Sequence, residues 1–487
     1  MTPGPARPTE TGASAGTPTA RTPTARTPTA RTPITGTPSA GGADLAARLD
    51  RIPVVTPAHR RWVGLLGFLF VFDLVDLNSF AYAAPALRTE WGLSIGGVGA
   101  ITSAGFVGMF FGAIAGGRLS DRIGRRPVLI GAVFFYSLFS LLSALATGPL
   151  MLGVLRVLTG FGLQAMTGVL LVWVSEMFPR ALRGRYQALL LAIGLAGVPI
   201  AAWVARLVVP MGPDAWRWIF VVGALGAIGG VVALRTLPES IRWCAAHGRT
   251  GDPRQEELVA RLEAQAEEKT GRPLPAPVAD RPVVPGKLTE LLRGATLRKT
   301  VVAAAACVFL ILSFYGFSSW VPTLLVERGY STAESLTYSS ILAIAAVPGA
   351  LLAMPVIDRF ERKTVILVLE LAVAVLLLLF GLIDHPAAII VCGFGAAMLM
   401  QTGVATLYTY IAEVFPLHLR GLGSGLANGS GRLAGVLGGF LVAALYTGTG
   451  VAGVFTYLAL AALGMGLVMA LFGERTTNRR LEDIERS

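Results

Sequence analysis

Residues 175–184 read SEMFPRALRG, and residues 412–421 read AEVFPLHLRG. Glu, Phe, Pro, Leu, Arg and Gly recur in the same order, and Ala412 stands 237 residues after Ser175. The same offset carries Asp121-Arg122 onto Asp358-Arg359 and Arg125-Arg126 onto Arg362-Lys363. It also carries Gln164 onto Gln401, Pro85 onto Pro322, and Gly92 and Ser94 onto Gly329 and Ser331. One such match could be chance; several at one spacing mark a duplicated unit.

The rest of the chain says what kind of unit was duplicated. Of 487 residues, 54% are hydrophobic and 14% charged, with a mean hydropathy of +0.65. Soluble proteins carry roughly 25% charged residues, so the deficit points to a polytopic membrane protein. About 20 apolar residues cross the hydrocarbon as a helix. Blocks of that length fall at 62–84, 97–117, 127–147, 149–174, 185–209 and 216–237, and again at 300–324, 336–356, 364–383, 387–411, 419–446 and 450–472. The expectation is an all-α protein of twelve transmembrane helices in two pseudo-symmetric six-helix bundles, residues 59–237 and 299–473.

The net charge is +12 and the pI 10.1, but the basic residues cluster in short segments between apolar blocks. Charge placed there sets topology, and no nucleic-acid partner is expected. His59-Arg60-Arg61 precede the first block, and Arg118, Arg122, Arg125 and Arg126 follow the second. Arg180, Arg183 and Arg185, then Arg359, Arg362 and Lys363, occupy equivalent loops, whereas LATGPL at 145–150 has no basic residue. The positive-inside rule puts both termini and the central segment, 238–298, in the cytoplasm. In that segment DPRQEELVARLEAQAEEKT offers Asp252 as N-cap and Pro253 at the first position of a surface helix. Residues 16–34 repeat TPTAR, a tract unable to build a core, and residues 1–58 are expected to be a disordered tail; residues 474–487 form a second tail. Cys244, Cys307 and Cys392 are far apart and the four His form no cluster, so neither disulfide nor metal site is expected. No phosphate-binding Gly-rich loop or catalytic triad appears, and neither an enzyme nor a cofactor is expected.

Between the second and third blocks stands GRLSDRIGRR, residues 117–126. It resembles the G-x-x-x-D-R-x-G-R-R signature loop of the major facilitator superfamily, in which paired six-helix repeats hold a substrate between them. RVLTGFG at 156–162 resembles that superfamily's fourth-helix motif. The two FPxxLRG elements and LPESIRW at 237–243 resemble its sugar-porter and aromatic-acid:proton symporter branches. The resemblance implies a gate built from Gly117, Asp121, Arg122, Gly124, Arg125 and Arg126, with Asp358 and Arg359 in the second copy, where Glu361 replaces Gly124. Glu176 with Arg183, and Glu413 with Arg420, are expected to complete it.

Ionisable groups in mid-span are expensive and are functional candidates by default. Asp73 and Asp76 lie three residues apart in the first block and share a helix face. Two carboxylates so close do not both ionise cheaply, which suits a reversible proton carrier. Their spacing resembles the D-G-x-D element of aromatic-acid:proton symporters, with Leu74 in place of glycine. The alternative is that one Asp pairs with Arg156 for structure. Arg156 and Arg432 have Gly393 and Leu195 as repeat mates; two unduplicated cations in a cavity favour an anionic substrate. Gln164, Gln401, Tyr82 and Tyr315 are further candidate contacts, and Glu370 reads as peripheral. The expectation is a monomeric transporter in a bacterial cytoplasmic membrane that takes up a small organic anion with protons. Proton-driven efflux and sugar or polyol symport are the alternatives.

Overall fold

The computed structural model describes residues 40–249, 252–277, 287–416 and 418–476; the TPTAR tract and most of the C-terminal tail lie outside them. The first half contains α1 (Ala40–Asp50), α2 (Pro57–Trp91), α3 (Ile95–Ile123), α4 (Arg125–Ser143), α5 (Pro149–Met177), α6 (Arg183–Leu195), α7 (Gly197–Val208), α8 (Arg217–Gly223) and α9 (Gly226–Thr236). The central segment forms α10 (Ile241–Ala246), α11 (Pro253–Thr270) and α12 (Leu288–Leu291). The second half is α13 (Gly294–Ser318), α14 (Val321–Glu327), α15 (Thr332–Ile344), α16 (Ala346–Arg359), α17 (Arg362–Leu382), α18 (Pro386–Val414) and α19 (Arg420–Phe472). Several spans consist of two consecutive helices, such as α6–α7 and α8–α9. Conversely α19 is two spans, because Gly450 interrupts it with φ +69° and ψ −165°. The described residues therefore give twelve spans in two sets of six, as the repeat requires.

Local chemistry explains why those particular residues recur. Gly92 ends α2 with φ +59° and Gly329 follows α14 with φ +94°, a backbone region that glycine enters at little cost. Two residues later Ser94 and Ser331 cap the next helices, accepting from the amides of Gly97 at 3.1 Å and Glu334 at 3.2 Å. The two halves thus make the same turn with the same letters. They diverge at the prolines: Pro85 lies inside the continuous α2, whereas Pro322 opens α14, so the seventh span is broken at Ser319–Trp320.

The central segment behaves as its sequence indicates: α11 opens at Pro253, and the Asp252 side chain caps it by accepting from the Arg254 amide at 3.0 Å. The tail departs from expectation. Residues 40–58 are not a disordered continuation of the Pro/Thr tract, because Leu45, Leu49 and Ile52 form an apolar stripe, each at most 3% exposed. They pack with Val259, Leu262 and Ala266 of α11, all fully buried. An 11-residue helix is marginal alone, so this burial, about 1.5–3 kcal/mol per large side chain, holds it. Charges fix its register: Arg48 and Arg51 each reach Glu263 at 2.7 Å, and Asp50 binds Arg183 at 2.5 Å and also Arg242.

Burial alone would raise the Glu263 pKa, but the Arg48 and Arg51 guanidiniums more than offset it, leaving it below the ordinary 4.5. A carboxyl of lowered pKa stabilises the docked helix above its ordinary pKa, and that contribution is lost as pH falls through the lowered value. The amide protection factors in 40–52, corrected for the intrinsic pH dependence of exchange, are therefore expected to be high at neutral pH and to fall below pH 4.5 in the wild type, with little such fall in Glu263→Gln. Equal acidification profiles in both proteins would exclude the clamp.

Candidate functional site

The loop 117–126 and its copy lie at one end of the bundles, called here the basic end, with α1, α10 and α11. There Arg125 binds Glu176 at 2.9 Å and Asp121 at 2.7 Å. Arg362, the repeat mate of Arg125, binds Glu413, the mate of Glu176, at 3.1 Å. The expected pairs Glu176–Arg183 and Glu413–Arg420 are not the ones formed. The chain leaves helical geometry at Phe178, and Arg183 turns back to the Phe178 carbonyl at 3.0 Å and to Asp50. Glu176 instead faces the first turn of α4 and accepts from Ser240 at 2.5 Å. Arg126 donates to the Leu234 carbonyl at 2.5 Å. Gly117, Arg122 and Arg359 are exposed, and the Asp358 side chain lies outside the described ones.

Gly124 has a double reason to be glycine. Its φ is +114°, and a Cβ there would stand 2.2 Å from Glu239 Oε2. Glu239 uses that space to accept from the amides of Arg125 at 2.9 Å and Arg126 at 3.0 Å, capping α4. In the second half the carboxylate comes from the glycine's own mate, Glu361, which accepts from the Thr476 amide at 3.1 Å. The departure visible in the second motif is thus an inverted supply of the same group.

In mid-span the two aspartates of α2 part company. Asp76 is fully buried, 2.9 Å from Arg156 of α5, and accepts from the Ser140 hydroxyl of α4. Arg156 also donates to Ser79 at 2.9 Å and lies 5.3 Å from the Phe220 ring centre. This is a closed ion pair, and removing one partner of such a pair costs about 3–5 kcal/mol because a lone charge stays buried. Asp73, 3% exposed, has no cation within ion-pair distance among the described residues. Thr167 donates to its Oδ2 at 3.0 Å, and its Oδ1 has no partner.

Arg432 of α19 comes from the other bundle to the same region. It approaches Met109 Sδ at 3.5 Å and the Tyr315 ring at 5.9 Å, and its Nε has no partner. No carboxylate among the described residues lies within ion-pair distance of it, although it is within electrostatic reach of Asp73. A small cavity of about 40 Å³, room for a few waters, lies between the bundles. Its walls include Asn78 of α2, Thr102, Phe106 and Met109 of α3, Arg156 of α5, and Tyr315 and Ser319 at the end of α13. Phe106 meets Tyr315 edge-on at 5.0 Å.

Of the sequence candidates, Arg156 and Tyr315 therefore line the cavity, and Arg432 contacts two of its wall residues, Met109 and Tyr315. Tyr82 is 5% exposed within an apolar cluster, and Gln401 is buried beneath Gly349. Neither these nor Gln164 lines the cavity. Glu370 is 2% exposed, one oxygen without a partner, against Gly403 and Gly466, away from the cavity. Ser140, Thr167 and Asn78 escaped the reading because uncharged polar residues on apolar helices carry no cost signal. Asn78 alone had a pointer, being the next polar group after Asp76. Its amide donates to the Leu74 carbonyl at 2.7 Å.

The chain is similar to known proteins along nearly its whole length. The family model described as Major Facilitator Superfamily matches residues 66–439 and 339–486. YyaJ of Bacillus subtilis strain 168 is 36% identical over 446 residues, covering 90% of this chain and 97% of its own. The niacin transporter NiaP of Acinetobacter baylyi is 30% identical over 445 residues, covering 91% and 99%. Among solved structures, the xylose transporter XylE from E. coli in its inward-open conformation aligns with a TM-score of 0.67 at 16% identity. That alignment covers 87% of this chain and 98% of XylE, and it supports the fold alone. On the repeat, the paired bundles and these matches, the chain belongs to the major facilitator superfamily: it is a multi-pass membrane transporter, not an enzyme.

Proposed function

We propose that this transporter carries a small organic anion, a carboxylate on an aromatic ring, into the cell together with a proton. The observation that carries the reading is Arg432, a half-buried cation at the bundle interface whose buried Nε has no partner and which has no carboxylate in ion-pair distance among the described residues. A cation held there needs a counter-charge, and a substrate carboxylate supplies one with charge-assisted hydrogen bonds. Phe106 and Tyr315 offer a ring two aromatic faces beside it. Niacin, in the name of one relative, is a ring carboxylate of that kind.

The proton belongs on Asp73. Asp76 is committed to Arg156 and Ser140, whereas Asp73 has a free oxygen and senses Arg432. A substrate anion on Arg432 takes over the charge that Asp73 faces, so proton and anion bind together. The bundles then rock about the interface and expose the pair to the other side. The basic end is cytoplasmic by the positive-inside rule, and the protein acts as a monomer, each chain holding a complete cavity.

Asp73→Asn is expected to abolish accumulation against a gradient in proteoliposomes while counterflow exchange of the substrate persists. Accumulation at the wild-type level would exclude Asp73 as carrier. Arg432→Gln is expected to raise the KM for the anion at least about tenfold, as loss of a charge-assisted contact implies, with correct membrane insertion; an unchanged KM excludes the anion reading. Asp76→Asn is expected instead to lower the Tm in detergent, since it strands Arg156. The substrate class itself is tested by thermal stabilisation of the purified protein with aromatic carboxylates, aliphatic carboxylates and sugars. Stabilisation by sugars alone would favour the symport of a neutral solute.

A further inference from the structure

Among the described residues, Arg125–Glu176 and Arg362–Glu413 at the basic end each join groups of one bundle. Contacts that join the bundles gather nearer the other end. Ser103 of α3 donates to the Val436 carbonyl of α19 at 2.6 Å, and Arg206 of α7 donates to Thr337 of α15. Gly99 lies so close to α19 that a Cβ would stand 2.6 Å from the Gly439 carbonyl oxygen.

At the rim of this end Arg88, in the last turns of α2, forms an ion pair with Glu327, the last residue of α14. Tyr446 of α19 donates its hydroxyl to the other oxygen of Glu327. The Arg88 guanidinium is aimed by a further bond from Nε to the Leu93 carbonyl at 3.1 Å, in the turn after Gly92. The repeat shows that this arrangement was not inherited with the scaffold. Glu327 is the mate of Glu90, which stays in its own bundle and accepts from Trp216 at 2.6 Å. The mate of Arg88 is Leu325, fully buried. One half keeps its carboxylate at home, and the other extends it across the seam to a cation its own copy lacks.

We infer that Arg88, Glu327 and Tyr446 are gating residues for transport, a latch that holds the bundles together at the end away from the basic loops and must open for the cavity to face that side. The chemistry suits repeated opening. Arg88 and Glu327 are 22% and 17% exposed, so water solvates both charges on separation more readily than those of the buried Asp76–Arg156 pair. Beneath the latch, Gly99 and Gly439 meet backbone to backbone with no side chains to disengage. The inference rests on transport by rocking bundles and is independent of the substrate and of the proton.

The test is the rate at which a membrane-impermeant maleimide labels Ser319→Cys, in the cavity wall, in the full-length chain in right-side-out and inverted vesicles. Removing a partly exposed ion pair shifts such an equilibrium by about threefold or more. Glu327→Gln is expected to speed labelling from the latch side by at least that factor, and the exchange Arg88→Glu with Glu327→Arg to return it towards the parent. Tyr446→Phe, which removes one hydrogen bond, is expected to give a smaller increase. It carries the test should Glu327→Gln fail to reach the membrane. Labelling of Tyr446→Phe and Glu327→Gln at the parent rate would overturn the latch. An increase confined to the basic side would overturn its location. Because no substrate is present, an error in the anion or proton assignment leaves these rates unaffected.

Discussion

The buried contact between Asp76 and Arg156 organises the first bundle. A charge in hydrocarbon is tolerated only when paired or serving a cavity, and here one bond ties α2 to α5 while Ser140 and Phe220 bring in α4 and α8. Beside that pair two further charges stand out near the bundle interface, while Glu370 lies apart against Gly403 and Gly466. Asp73 and Arg432 sit in opposite bundles, each incompletely partnered, in electrostatic reach of one another. The proposed transport cycle is built on these groups, which the packing leaves unsatisfied.

Duplication supplies the frame, and the proposed site lies in the departures from it. Turns, caps and the Arg–Glu pairs at the basic end recur in both halves because each bundle must end its helices and hold its loops. Asp73 and Arg432 have Leu310 and Leu195 as mates, so neither belongs to the frame the two halves share. The capping carboxylate is an instructive intermediate. Glu239 caps α4 in the first half, whereas in the second the carboxylate stands in the loop as Glu361 and accepts from the Thr476 amide, and Gly124 leaves room for the first arrangement.

The fold was legible because its signals are long and redundant: apolar blocks of the right length and a single repeat offset. The site was legible only where charge made it so. Asp73, Asp76, Arg156 and Arg432 could be picked out one by one as candidates, but their pairing could not, since the two acids share one helix and its spacing does not say which of them meets Arg156. The choice of partner at the gate failed for a related reason. Sequence proximity suggested Glu176–Arg183, but the chain turns at Phe178 and brings Arg125 from another helix. Tyr82 and Gln401 do not line the cavity, because a polar side chain in a span can as readily be buried in packing as face a cavity. The helix at 40–50 was hidden by the low-complexity tract before it.

The docking of that helix has a consequence for biosynthesis. Arg48 meets a carboxylate 215 residues further along the chain, so its berth does not exist until α11 has left the ribosome. Six spans must thread into the membrane while the N-terminal segment waits in solution, its apolar stripe unsheltered. Long-range closure of this kind comes late and leaves early intermediates exposed. The helix thereby records whether the first half has been made in full: it can settle only on a finished bundle.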